Sequence, residues 1–122
     1  MLTGMQFSVE FYVSENGRTP VREFLDELEI SDPCDFAAVM AGLAKLRHCQ
    51  YHRPPLSKSL GNELFELRHV GKLNIRVLYF FMRGQRIIAV HGIRNKGTSI
   101  PARDLQTAAG RRKDWVKRNE TT

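Results

Sequence analysis

Three strand-forming segments lie so close together in the sequence that they constrain the fold more than any other feature. They span residues 64–69, 74–81 and 86–94. The connections between them, Val70-Gly71-Lys72 and Met82-Arg83-Gly84-Gln85, are too short to hold a crossover helix. Strands joined in this way pair antiparallel with their neighbours. The sequence therefore predicts an antiparallel meander with its most hydrophobic segment, 74–81, at the centre.

The remaining elements flank this meander. Residues 6–13 alternate between apolar and polar side chains, which is typical of a half-buried strand. Thr19-Pro20 and Asp32-Pro33 each place a capping residue before a helix-starting proline, and they predict two helices, the second running to about His48. A last helix is predicted from Pro101 to about residue 117. The order strand, helix, helix, three strands, helix predicts an α+β fold in one domain, 1–122, with an ordered core at about 6–117.

The charge of the chain is unevenly distributed. The net charge of the 122 residues is +6, but the first 35 residues carry −6 and the remainder therefore carries +12. A field of this kind attracts polyanions such as RNA, and we expect the acidic first helix to lie away from the RNA-facing surface. The chain shows no apolar run long enough to span a bilayer and no secretory signal, so we expect a cytoplasmic protein that does not bind membranes.

The sequence contains few motifs of known chemistry. It has no glycine-rich phosphate loop, nucleophile elbow or dinucleotide fingerprint, and carboxylates are scarce after residue 35. His48, Cys49 and His52 have the spacing of a metal site on a helix. Pro54 and Pro55 argue against a helix through His52, and no second ligand pair exists, so we expect neither a metal nor another cofactor.

Basic residues on the predicted meander are the main candidates for a site. Arg76 lies within an apolar run, where a charge is costly unless it has a partner. Strand alternation places Glu66 and Arg68 on one face, and Arg94 and Lys96 on one face at the end of the third strand. The arginines either pair with Glu66 or Glu63, or form a cation cluster that grips a phosphodiester. The same alternation places His91 with Ala89 and Ile93, and so predicts a core histidine.

Several segments together resemble the RelE/HigB superfamily of bacterial toxins, and most closely its HigB-type, phage-derived branch. The resemblance spans about residues 6–117 and rests on these segments: Leu64-Phe65-Glu66-Leu67-Arg68, Ile75-Arg76-Val77-Leu78-Tyr79-Phe80, Val90-His91-Gly92-Ile93, Lys96 and Pro101. It implies a small antiparallel sheet with two N-terminal helices and a C-terminal helix. Asn95 and Ile75 depart from the family pattern, which has a lysine and an aromatic residue there.

The resemblance implies a metal-independent endoribonuclease that cuts mRNA, often on the ribosome. It also implies a cognate helix-turn-helix antitoxin, through which operator DNA is bound. Arg68, Arg76 and Lys96 match family positions and are the predicted catalytic residues. They would stabilise the charge that develops when an RNA 2′-hydroxyl attacks the adjacent phosphorus.

We expect Lys58, Arg94 and His52 to contact the RNA. The general base stays open among His52, Glu66 and a neutral lysine. Two alternative functions remain on the same fold: a non-catalytic RNA- or ribosome-binding module, and a co-repressor that only binds its antitoxin.

Overall fold

The structure is a computed structural model and describes residues 6–70, 74–95, 97 and 99–119. Within these ranges the chain forms five strands and three α-helices, which confirms the α+β class. In chain order they are β1 (Ser8–Phe11), α1 (Pro20–Ser31), α2 (Pro33–Lys45), β2 (Ser57–Gly61), β3 (Leu64–Val70), β4 (Asn74–Met82), β5 (Arg86–Asn95) and α3 (Ala102–Asn119). A short 3₁₀ turn, Cys49–Tyr51, follows α2.

The strands form one sheet in the order β1-β5-β4-β3-β2. The pairs from β2 to β5 are antiparallel, which confirms the meander, and β4 is central as predicted. Strand β1 pairs parallel with β5, with Ser8 opposite Arg86 and Phe11 opposite Ala89. The sheet is therefore mixed, and the expectation of an antiparallel sheet is wrong for this strand, because α1 and α2 separate β1 from its partner in the sequence. The Glu10 carboxylate and the Arg86 guanidinium bridge this pair at 2.7 Å.

Strand β2 was not predicted, and it changes the order of elements. Its sequence, Ser57-Lys58-Ser59-Leu60-Gly61, is short and mostly polar, so it carries no clear period-two pattern. It forms a hairpin with β3 through Asn62 and Glu63, whose φ angles of 51° and 65° suit a two-residue primed turn. This segment therefore forms a strand because it pairs with β3, and it lies at the edge of the sheet.

The ends of α2 show why the predicted helix was too long. At its start, the Asp32 carboxylate accepts a hydrogen bond from the Asp35 amide, and Pro33 occupies the first helical position. At its end, the backbone leaves the helix after Lys45 because the Phe7 amide donates to the Arg47 carbonyl at 2.8 Å. The contact with the chain before β1 thus ends the helix three residues before His48.

Helices cover both faces of the sheet, and each face has its own apolar cluster. The α1–α2 face contains Val21, Leu25, Leu28, Val39, Leu43, Leu46, Leu67, Ile75, Val77, Tyr79, Ile87 and Ala89. The α3 face contains Tyr12, Leu64, Leu78, Phe80, Ile88, Val90, Ile93, Ala108 and Trp115. The described helices include none that is both long enough and apolar enough to cross a membrane.

Helix α1 approaches β5 closely at Gly92. A β-carbon added to this glycine would lie 2.3 Å from Phe24 Cδ2 and 2.5 Å from Phe24 Cγ, so either the Phe24 ring has to leave its rotamer or α1 has to move away from the sheet. A β-carbon added to Gly110 in α3 would have no neighbouring atom within 4 Å, so Gly110 provides a matched control.

We predict that Gly92→Ala lowers the free energy of unfolding by about 1–3 kcal/mol, because overpacking forces α1 away from the sheet. Gly110→Ala should raise it by about 0.5–1 kcal/mol, since alanine is the better helix former. Urea denaturation followed by circular dichroism measures both changes. Equal stability of Gly92→Ala and the parent protein would contradict the close packing of Phe24 on β5.

Candidate functional site

The strand register brings four of the charged candidates to the α3 face of the sheet. Lys58 is opposite Glu66, and Arg68 is opposite Arg76, across the β2–β3 and β3–β4 pairs. Directly opposed residues in antiparallel strands project from the same face. Leu78, which pairs with Glu66, belongs to the apolar cluster of the α3 face and identifies that face. We call Lys58, Glu66, Arg68 and Arg76 the basic sheet face.

The centre of the basic sheet face is a buried ion pair. Arg76 Nε lies 2.9 Å from Glu66 Oε1, and these side chains are 3% and 5% exposed. Arg68 Nε lies 3.8 Å from the same oxygen, but its side chain is 39% exposed. Glu66 therefore neutralises the buried guanidinium, while Arg68 carries its charge at the surface.

The pairing that the sequence left open is thus with Glu66 and not with Glu63. Glu63 lies in the β2–β3 turn and pairs with Arg112 of α3 at 3.0 Å. The burial of Arg76 also means that an anion approaching this surface reaches Arg68 first.

Arg94 does not join the basic sheet face. Its partner in β4 is Ile75, a core residue of the α1–α2 face, and its Nη1 donates to Ser31 Oγ at 3.0 Å. Arg94 therefore lies on the opposite side of the sheet, at the end of α1. Lys96 lies outside the described residues, so its predicted catalytic role stays a prediction.

His52 is likewise separated from the basic sheet face and is held in place by its surroundings. Its Nε2 lies 2.6 Å from the Leu46 carbonyl oxygen. Its ring packs against Phe7 and Phe81, with ring centroids 4.7 Å and 5.0 Å away. These contacts give His52 a structural role, and its predicted RNA contact stays a prediction.

The structure does not continue α2 through the possible metal ligands. The helix ends before His48, and the Leu46 carbonyl engages His52. In the described part of the chain, no three His, Cys, Asp or Glu residues lie close enough together to hold a metal ion. Both cysteines are free and exposed.

The prediction that His91 shares a face with Ala89 is wrong because β5 contains a bulge. Leu78 pairs with His91, but the next residue, Tyr79, pairs with Ala89, so Val90 is the extra residue. The bulge turns His91 to the α3 face, where its Nε2 lies 2.7 Å from an Asp104 carboxylate oxygen.

Arg111 completes the contacts of this imidazole. Its Nη1 lies 3.1 Å from His91 Nδ1 and 2.8 Å from the Val90 carbonyl oxygen. A guanidinium only donates, so the geometry assigns Nδ1 as the acceptor from Arg111 and Nε2–H as the donor to Asp104. Burial lowers the pKa of Arg111. Both ring nitrogens of His91 therefore have partners. Asp104 and Arg111 connect α3 to the bulge in β5 through these contacts.

A second group of residues lies around Arg68 and could not be predicted from the sequence. The loop after α2 brings Tyr51 and Arg53 to a surface pocket that Arg68 also lines. These residues are far apart in the sequence, and only the pairing of β2 with β3 brings the loop beside Arg68, whose amide donates to the Leu56 carbonyl at 2.9 Å.

We predict that Arg76→Ala lowers the free energy of unfolding by about 3–5 kcal/mol, because it leaves the Glu66 carboxylate buried without its partner. The double variant Glu66→Leu/Arg76→Met should lose less unfolding free energy than Arg76→Ala, since no unpaired charge then remains in the interior. Arg68→Ala is the control and should cost less than about 1 kcal/mol, as its side chain is more than a third exposed. Chemical denaturation measures all three, and an Arg76→Ala protein as stable as the parent would disprove the dependence of Glu66 on Arg76.

A known family model matches most of the chain. Residues 23–113 match the family model described as "Phage derived protein Gp49-like (DUF891)". A search of the curated proteins finds no significant match. The matched region covers more than half of the chain and includes the whole basic sheet face. The chain therefore belongs to the Gp49-like family of phage-derived proteins, a family related to the toxins of toxin–antitoxin systems.

Proposed function

We propose that this protein is the toxin of a type II toxin–antitoxin system and acts as a metal-independent endoribonuclease on mRNA, in association with the ribosome. The observation that carries the proposal is the exposed Arg68 beside the buried Glu66–Arg76 pair. The relation of the family to toxin–antitoxin toxins supports it, as does the resemblance to RelE/HigB toxins. The partner that neutralises the toxin would be a helix-turn-helix antitoxin.

The proposed chemistry uses the RNA's own nucleophile. The 2′-hydroxyl attacks the adjacent phosphorus, the bond to the 5′-oxygen breaks, and the products are a 2′,3′-cyclic phosphate and a 5′-hydroxyl. The protein has to align this attack and stabilise the additional negative charge on the phosphoryl oxygens. Arg68 suits this role because its planar, permanently charged fork of donors matches a phosphate. The resemblance to RelE/HigB toxins assigns an assisting role to Lys96.

Arg76 would contribute through Glu66. The buried pair holds the Glu66 carboxylate, and that carboxylate lies 3.8 Å from Arg68. A shift of Glu66 would therefore displace the exposed guanidinium. In this role Arg76 is a positioning residue.

Metal independence is proposed from the groups at the basic sheet face. Its carboxylate, Glu66, is occupied by a cation 2.9 Å away, and the other members are basic. Such a set favours electrostatic stabilisation by side chains over metal coordination.

The burial of Arg76 also favours a second candidate function. A guanidinium that is 3% exposed does not contact a phosphate unless the surface rearranges. A module that binds RNA or the ribosome through Arg68 and Lys58 without cleaving it would use the same surface. The two functions differ in whether the RNA backbone is broken.

We predict that the purified protein cleaves mRNA in the presence of excess EDTA, and that Arg68→Ala reduces the cleavage rate by about a hundred-fold through loss of transition-state stabilisation. Gel analysis of 5′-labelled mRNA, with ribosomes added and omitted, measures the rate. Induced expression should arrest growth, and co-expression of the adjacent antitoxin gene should relieve the arrest.

The matched control is Arg83→Ala, which removes the same charge from the exposed turn at the opposite end of β4. It should leave cleavage unchanged. Growth arrest with intact mRNA would favour the binding module over the nuclease, and the absence of any arrest would contradict the toxin assignment.

A further inference from the structure

A pocket of about 430 Å³ lies beside Arg68, between the end of α2 and the loop that leads into β2. Lys45 borders it from α2, and Tyr51, Arg53 and Leu56 border it from the loop. Its volume is within the range of small-ligand sites and is large enough for one nucleotide.

The charged residues that line this pocket are all basic. They are Lys45, Arg53 and Arg68, and no carboxylate is among the lining residues. Lys45 and Arg53 are exposed, so a ligand can reach both. The pocket is therefore suited to a ligand that carries negative charge.

The pocket also contains an aromatic surface. The Lys45 ammonium lies 5.6 Å from the centroid of the Tyr51 ring, which is a cation–π contact. Leu56 and the Pro54-Pro55 pair add apolar surface. A nucleotide has an anionic phosphate and a base with flat faces that stack on aromatic rings. The basic side chains of the pocket suit the phosphate, and the Tyr51 ring with its apolar neighbours suits the base.

The walls of the pocket are held in place before any ligand binds. The Tyr51 amide donates to the His48 carbonyl at 3.0 Å, and the Ser57 amide donates to the Arg53 carbonyl at 3.1 Å. The neighbouring His52 is fixed by the Leu46 carbonyl and by two phenylalanine rings. A loop ordered in this way loses little conformational freedom on binding.

We propose that this pocket binds one nucleotide of a single-stranded RNA, with its base against Tyr51 and its phosphates at Lys45 and Arg53. The inference rests on the proposed function, because Arg68 then lies at the next phosphate and belongs to both the pocket and the basic sheet face. An acidic peptide would also be attracted by the cations, but the half-buried aromatic ring among them favours RNA. The pocket would select the nucleotide beside the cleaved bond.

The test measures binding separately from cleavage. The probe is a fluorescein-labelled 2′-O-methyl RNA of about six nucleotides, which lacks the attacking hydroxyl and fits the usual site size for single-stranded binding. Fluorescence anisotropy of the full chain gives its dissociation constant. We expect Tyr51→Ala to weaken binding at least about five-fold, as loss of one stacking contact implies, and Tyr51→Phe to keep it.

Two further variants separate charge from stacking. Arg53→Ala should weaken binding and lower the salt slope by about one, because one phosphate contact is lost. Arg83→Ala, the matched control outside the pocket, should change neither. Tyr51→Leu keeps apolar bulk without a ring and should resemble Tyr51→Ala, and thermal melting shows that each variant is folded.

The outcomes distinguish this inference from the proposed function. Binding that depends on Tyr51, in a protein that cleaves no mRNA, supports the pocket and overturns the nuclease. Cleavage with equal binding by the parent and Tyr51→Ala overturns the pocket and leaves the nuclease standing. Failure of the parent to bind the probe, or tighter binding of a poly-glutamate peptide than of the RNA, also overturns the pocket.

Discussion

The ion pair between Glu66 and Arg76 lies inside the molecule, where both groups have lost nearly all contact with water. Strand β4 is the centre of a sheet covered by helices on both faces, so an arginine in it requires a carboxylate from a neighbouring strand. The register that places Glu66 next to Arg76 also places Arg68 directly opposite it. The pairing of β3 with β4 therefore positions the exposed cation on which the proposed chemistry depends.

Arg68 and Arg76 look equivalent in the sequence, but the structure gives them different environments. The buried one neutralises and holds a carboxylate, and the exposed one is left to meet an anion. The acidic helix α1 packs on the other face of the sheet, where its carboxylates do not face Arg68. The proposed nucleotide pocket lies beside Arg68, between the end of α2 and the loop that leads into β2. Arg68 is the residue that the pocket and the basic sheet face have in common.

Much of the fold could be predicted because its signals are local. The meander has short turns and apolar strands, and the two N-terminal helices begin at Thr19-Pro20 and Asp32-Pro33 as expected. Within α1, the apolar residues Val21, Leu25 and Leu28 are buried. Strand β2 could not be found in this way, because an edge strand of polar residues depends on its partner for its hydrogen bonds.

The sequence by itself determined the fold class, the meander and the presence of basic residues on it, since periodicity and turn residues act over a few positions. Only the tertiary structure decided which of these residues meet. Strand alternation fails at the β5 bulge, so His91 faces Asp104 rather than the side of Ala89. The register sets Arg94 against Ile75, on the face opposite Arg68. These placements depend on pairing between segments that are distant in the sequence. The hydrophobic pattern of one segment does not show its register with another or the position of a bulge.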